Sequence, residues 1–269
     1  MATVDEGKVV IFGAGGPVGA ATIVALKDHY TLCCTDAMSL DQVVAEDRRQ
    51  SATAPLPELL DAPHERRVVD VTDYDQVREA CEGMDAAVNL TVLRHELDKA
   101  FAVNTVGAYN VAKAAADAGL QRLIHTGPFH TRMGHHADHW QDHQVPDDVP
   151  LHPGDDLYAL SKYLGGHITR VFAEERGLDV ITYLFCGFRP RQVPPESHGS
   201  GVGSFTVSWE DAGESFLYGL RAGEMPSPYE VFFIAAETPD RKYRVDKARR
   251  LLGWQAKDTF ESLYRRSPI

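Results

Sequence analysis

Positive charge is scarce in this chain. Its 27 lysines and arginines stand against 39 aspartates and glutamates, a formal net charge of −12. That balance argues against a general nucleic-acid binder, which needs basic surface to meet phosphates. It favours solubility and identifies no substrate. Long apolar runs are missing as well: none approaches the roughly 20 residues of a membrane-spanning helix. The start, Met1-Ala2-Thr3-Val4-Asp5-Glu6-Gly7, has neither the basic nor the apolar stretch of a signal peptide. The expectation is a cytoplasmic protein with no membrane and no nucleic acid among its partners. Cysteine is sparse, and Cys33, Cys34, Cys81 and Cys186 form no metal-ligand spacing. They read as reduced, buried thiols, with Cys33 and Cys34 adjacent in one strand and pointing to opposite faces.

What is present is a chain of 269 residues, enough for one large core with or without a small lobe. Apolar runs alternate with helical patterns. Strands are expected at 8–14, 31–35, 67–71, 86–92, 122–126 and 180–185. Helices are expected at 17–28, 73–83 with Thr72 as N-cap, 95–118 ended by Gly119, and 156–176 ended by Gly177. Strands alternating with helices mean parallel pairing with helices on both faces. The fold class is therefore α/β, a Rossmann-type doubly wound parallel sheet with a small C-terminal substrate lobe. Residues 1–185 are expected to form the dinucleotide-binding domain. The pattern then loosens, with a loop at 190–203, a helix at 209–221, a strand at 230–235 and a helix at 245–252. Residues 186–269 read as a lobe over the strand ends, too small and broken to be an independent domain.

After the first strand comes Gly13-Ala14-Gly15-Gly16-Pro17-Val18-Gly19, with glycines at 13, 16 and 19. Missing side chains let backbone approach a pyrophosphate, and the helix that follows offers free N–H groups and the positive end of its dipole. Pro17 suits the first helical turn, where its missing N–H costs nothing. A tight turn with no ligand is the plainer alternative. Asp36 ends the second strand, where an acid can accept hydrogen bonds from ribose hydroxyls and repel a 2′-phosphate. Asp70-Val71 and Asn89-Leu90-Thr91 follow the third and fourth strands, where the rest of a dinucleotide would lie.

Tyr158 and Lys162 lie four residues apart, on one face of a helix. A cation beside a phenol favours the phenolate, and a tyrosine so tuned can exchange a proton with a substrate hydroxyl. The same spacing also occurs on plain solvated helices.

Taken together, these residues resemble the extended short-chain dehydrogenase/reductase family, also called the NAD-dependent epimerase/dehydratase family. The carriers are Gly13-x-x-Gly16-x-x-Gly19, Asp36, Asp70-Val71, Asn104-Thr105-Val106-Gly107 with Asn110, and Tyr158-x-x-x-Lys162. Within the family the chain is most similar to uronate dehydrogenases, on Arg122-Leu123-Ile124, His130-Thr131, the Tyr158 segment and the ending Leu251-Leu252-Gly253-Trp254. The resemblance implies NAD as cofactor, Tyr158 as general acid/base, and Lys162 lowering its pKa and binding the nicotinamide ribose. It implies cofactor contacts at Gly13, Gly16, Pro17, Val18, Gly19, Asp36, Asp70, Val71, Asn89, Leu90, Thr91, Asn104, Tyr158 and Lys162. It also implies a homodimer or higher homo-oligomer built on the 95–118 helix and the tyrosine helix.

Two positions depart from the family pattern. The serine pair after the fifth strand maps onto Gly127-Pro128, so Thr126 or Thr131 would have to supply the hydroxyl; Thr126 is taken as the catalytic candidate. The arginine of the Leu-Arg pair after the sixth strand is replaced in Leu184-Phe185, leaving Arg189 or Arg191 to meet a carboxylate. Substrate contacts are expected from Phe129, His130, Thr131, His135 and Arg189. His135, His139 and His143 recur every four residues and could bind zinc, but a polar loop over the substrate pocket is the reading adopted, with no metal. Asp211 is assigned to capping or structure.

Three functions are compatible with this pattern. The leading one is an NAD-dependent oxidoreductase acting on a hydroxyl or carbonyl of a small sugar or sugar acid. The second is a sugar epimerase or dehydratase that keeps its NAD tightly bound. The third is a non-catalytic dinucleotide-binding protein.

Overall fold

The computed structural model describes residues 4–133, 142–153 and 156–264. In chain order the first half holds β1 (Lys8–Phe12), α1 (Pro17–Leu26), β2 (Thr31–Asp36), α2 (Leu40–Ala45), β3 (Glu65–Val68), α3 (Tyr74–Cys81) and β4 (Ala86–Asn89). Next come α4 (Leu97–Phe101), α5 (Gly107–Asp117), β5 (Arg122–Pro128), α6 (His130–Met133), α7 (Leu157–Arg176) and β6 (Asp179–Phe185). The remainder is β7 (Gly187–Arg189), β8 (Thr206–Ser208), α8 (Trp209–Arg221), β9 (Tyr229–Phe233) and α9 (Asp246–Leu252).

Seven strands form one sheet in the order β3-β2-β1-β4-β5-β6-β9, with every pairing parallel. Chain order reverses between β1 and β4, and ligands bind outside the carboxyl ends of strands at such a switch point. The central strands are buried on both faces, and β1 reads as an apolar run from Val9 to Phe12. Cys33 and Cys34 show the two faces directly, each packing into a different core layer. Burial pushes the thiols of Cys33, Cys34 and Cys81 up to about 11, 12 and 12. Cys186 departs from the expectation of four buried thiols. It follows β6 at the open end of the sheet and is exposed.

Several boundaries differ from the sequence reading. The third strand lies at Glu65–Val68, ahead of the expected 67–71. It is an exposed edge strand, and the apolar Val69 and Val71 mark where the chain turns inward after it. The N-cap of α3 is Asp73, whose carboxylate accepts from the N–H groups of Asp75 and Gln76; Thr72 is held by Asp70 instead. Helix α2, missed from sequence, starts at Ser39, whose side chain accepts from Gln42 N–H. The expected 95–118 helix is two α-helices joined by a wide π-type turn over Ala102–Val106. In that turn the Asn104 amide donates to the Leu93 carbonyl at 2.9 Å and to Ser161 Oγ at 3.0 Å. Such turns gather at functional sites. Gly165 of α7 packs on this turn so closely that a Cβ there would lie 2.4 Å from the Asn104 carbonyl oxygen.

Residues 186–269 do more than cover strand ends. β9 pairs with β6 as the seventh strand, and α8 packs on α1. Arg122, at the start of β5, is buried and pairs with Asp179 at the start of β6 at 2.5 Å. It also donates to the carbonyls of Gly219 and Ala222, tying the C-terminal segment to the sheet. Asp211 is buried at the start of α8 and accepts from Lys257 N–H while pairing with Arg191, the structural part expected of it.

Candidate active site

The glycine turn joins β1 to α1 at the switch point. Gly13 sits at φ +84°, a left-handed conformation that other residues rarely take. Gly16 caps α1, and Pro17 occupies its first turn. Val18 and Gly19 follow in that turn, Gly19 buried. Asp36 Oδ2 accepts from Gly15 N–H at 2.9 Å. Burial pushes this carboxyl up, and the N–H groups of Gly15, Met38 and Ala37 draw it back. A groove of about 720 Å³ runs along this edge, lined by Gly13, Gly15, Gly16, Asp36, Asp70, Val71, Leu90, Thr91 and Val103 among others. Bare glycine backbone at a helix N-terminus with a carboxylate beside it fits a dinucleotide: pyrophosphate on the turn, ribose hydroxyls on Asp36.

A second pocket, of about 330 Å³, opens beyond the groove. Leu90 and Val92 line both, so the two adjoin. Its other walls are Val18, Arg94, Thr126, Gly127, Pro128, His130, Tyr158, Lys162, Phe185, Cys186 and Phe188. The structure therefore brings Tyr158, Lys162, Thr126, His130 and Val18 together at the end of the groove. Helix α7 presents the pair because Asp156 caps its N-terminus, accepting from Ala159 N–H at 2.9 Å.

The electrostatics differ from the sequence expectation. Lys162 is buried, and its Nζ donates to the Thr91 carbonyl at 3.1 Å. Burial pulls its pKa down to about 7, and repulsion from Arg94 adds to this. Tyr158 is not tuned downward: burial pushes its phenol above the ordinary value. The cation acting against that rise is Arg94, whose guanidinium carbon lies 5.4 Å from the ring centroid. Sequence reasoning missed Arg94. Nothing in its spacing marked it, because the loop after β4 carries it to the pocket.

The remaining expected site residues divide. Thr126 faces the pocket, but its hydroxyl donates to the Asn89 carbonyl at 2.9 Å. Its lone pairs are left to accept from a substrate hydroxyl. Thr131 cannot replace the missing serine. The backbone stays paired with β6 through Pro128, and Thr131 is carried past the pocket to donate to the Pro128 carbonyl. It lines a separate inner cavity of about 90 Å³ behind Lys162, with His125, His167 and Thr182. Phe129 is core rather than substrate wall, stacked on Phe205 with centroids 5.0 Å apart. Asn89 and Asn104 are buried and line neither groove nor pocket. Asn89 Oδ1 accepts from Thr91 Oγ1 and fixes the loop that Lys162 meets. Arg189, on β7, is exposed and lines neither space. Arg191 is held by Asp211 and Asp258. His135 and His139 lie outside the described residues; His143 is described and exposed. Among the described residues no cluster of metal-ligating side chains occurs. No described helix is long and apolar enough to cross a membrane.

Comparison with known proteins identifies the family and the fold. A model described as the NAD dependent epimerase/dehydratase family matches residues 9–192. The NAD-dependent glucose-6-phosphate dehydrogenase of Haloferax volcanii is 25% identical over 268 residues, covering 93% of each chain. The L-arabinose 1-dehydrogenase (NAD(P)(+)) of the same organism is 26% identical, covering 93% of this chain and 96% of its own. Among solved structures, a glucuronic acid dehydrogenase from Chromohalobacter salexigens superposes with a TM-score of 0.74 at 18% identity, over 95% of this chain and 86% of that one.

Proposed function

Because the chain belongs to the NAD dependent epimerase/dehydratase family, an enzyme family whose cofactor is NAD, we propose that it is a dehydrogenase of a small sugar or sugar acid with Tyr158 as acid/base. One observation carries the reading: the pocket holding Tyr158 and Lys162 adjoins the glycine-turn groove, with Leu90 and Val92 in the wall of both. Bound NAD supplies the hydride acceptor. Gly13, Gly15 and Gly16 would hold its pyrophosphate, Asp36 its adenosine ribose, and Lys162 with the Thr91 loop its nicotinamide end. Tyr158 takes the proton of the substrate hydroxyl, and Thr126, whose own proton is held by the Asn89 carbonyl, accepts from a neighbouring hydroxyl of the sugar.

The pocket, at about 330 Å³, suits a small molecule better than a nucleotide-linked sugar. The names of the curated relatives, glucose-6-phosphate and arabinose dehydrogenases, support a sugar. The test is NADH absorbance with NAD and a panel of aldoses, uronates and sugar phosphates. NADH from one of them supports the dehydrogenase. Silence with nucleotide recovered from the denatured protein would favour an epimerase or dehydratase; silence without it would favour a non-catalytic binder.

We propose as well that the protein is a homodimer or higher homo-oligomer in the cytoplasm. Phe101, Val106, Tyr109, Leu160 and Val171 are exposed on α4, the π-type turn, α5 and α7, an apolar face that suits a second copy. Light scattering at the mass of a monomer would contradict it.

A further inference from the structure

We propose that Arg94 is the anchor for an anionic group on the substrate, so that this site takes a sugar acid or a sugar phosphate in preference to a neutral sugar. The inference rests on the sugar-dehydrogenase reading and narrows its substrate.

Four observations carry it. First, Arg94 lines the pocket of Tyr158 and stands 5.4 Å from that ring's centroid, so an anion on its guanidinium lies beside the reacting group. Second, Arg94 is exposed and, among the described residues, no carboxylate pairs with it, so its guanidinium is open to a ligand. Third, among the described residues the pocket wall contains Arg94, Lys162 and His130 and no aspartate or glutamate. On a protein of net charge −12, Arg94 is a standing positive charge in this wall where an anion can settle. Fourth, the other arginines near this end are committed or turned away. Arg191 is held by Asp211 at 2.6 Å and Asp258 at 3.2 Å, and Arg189 lines neither space.

The dinucleotide phosphates are a poor match for Arg94. It is absent from the groove that holds the glycine turn, where the basic side chains are Arg48 and Lys99. Guanidinium presents paired N–H groups to one carboxylate or phosphate, which sets orientation as well as affinity. Another part of the wall is apolar: Phe188 lines the pocket and is stacked on Trp209 behind it at 4.5 Å and 3°. A sugar ring held there would direct its anion to Arg94 and a hydroxyl to Tyr158.

The test is calorimetric titration of NAD-loaded protein with matched series: glucose, galactose and mannose, their uronates and their 6-phosphates. Wild type is compared with Arg94→Met and Arg94→Lys. In at least one series the anion should bind tenfold or more tightly than the neutral sugar, about the value of one charge-assisted contact. Arg94→Met should remove that preference, Arg94→Lys should keep part of it, and NAD affinity should not change. A preference confined to uronates assigns a carboxylate; one confined to phosphates assigns a phosphate. Equal binding of neutral and charged sugars overturns the proposal. So does an anion preference that survives Arg94→Met, a loss of NAD affinity in that variant, or no sugar binding in any series. Parallel NADH readings separate the two readings. Anion binding through Arg94 without NADH leaves the anchor standing and sinks the dehydrogenase. NADH from neutral sugars alone does the reverse.

Discussion

Lys162 donates from its ammonium to the carbonyl oxygen of Thr91, 3.1 Å away, and so ties the middle of α7 to the loop that follows β4. Burial lowers this lysine to about 7. Below that pH it is charged in both folded and unfolded chains, and the folded state carries the full cost of burying the charge. Between about 7 and the ordinary lysine value the unfolded chain binds more protons, so this group's contribution to stability rises with pH. Lys162→Met should therefore stabilise the NAD-free protein near pH 6 by at least about 1 kcal/mol. That advantage should shrink toward pH 10. Activity should fall on the order of 100-fold. Thermal unfolding across this range, with NADH kinetics alongside, checks both.

Tyr158 gives a second pH dependence. Burial raises its phenol above the ordinary tyrosine value, with Arg94 opposing the rise. Oxidation needs the phenolate as base, so kcat/KM should climb through neutral pH and keep climbing into the alkaline range. The reverse reduction uses the protonated phenol and should hold its rate across neutral pH. An oxidation profile already flat below pH 7 would contradict this.

Asp36 should set the choice of dinucleotide. Its carboxylate faces the groove beside the glycine turn. Asp36→Asn keeps an oxygen for Gly15 N–H but removes the charge that repels a 2′-phosphate. NAD should bind roughly tenfold more weakly, and NADP should gain relative to it. Titration of both nucleotides by intrinsic fluorescence reads the ratio; an unchanged ratio would remove Asp36 from the ribose site.

Much of this was legible in the sequence because it is local. Gly13 through Gly19 combine a turn, a helix start and a phosphate cradle in seven residues, and Tyr158 with Lys162 needs only helical spacing. The parallel sheet followed from apolar strands alternating with helices. What was not legible depends on where loops travel. Arg94 has no periodicity to mark it, and only the loop after β4 carries it to Tyr158. Phe129 and Thr131 looked available because they follow β5, but that strand stays paired through Pro128 and sends them into the core and the inner cavity. Asn89 and Asn104 sit at family positions, yet their amides hold the loop and the π-type turn rather than the groove. The edge strand β3 was misplaced because its charged residues hide the strand, while Val69 and Val71 just past it carry the apolar signal.

The central claim is that Tyr158 moves the substrate proton in a dehydrogenase. Its most direct test is steady-state NADH formation by wild type and Tyr158→Phe on the best substrate of the panel, with NAD affinity measured on both. The account predicts a kcat reduced by about 10²–10⁴-fold in the variant, with NAD affinity nearly unchanged. A variant that oxidises the substrate at close to the wild-type rate would contradict it.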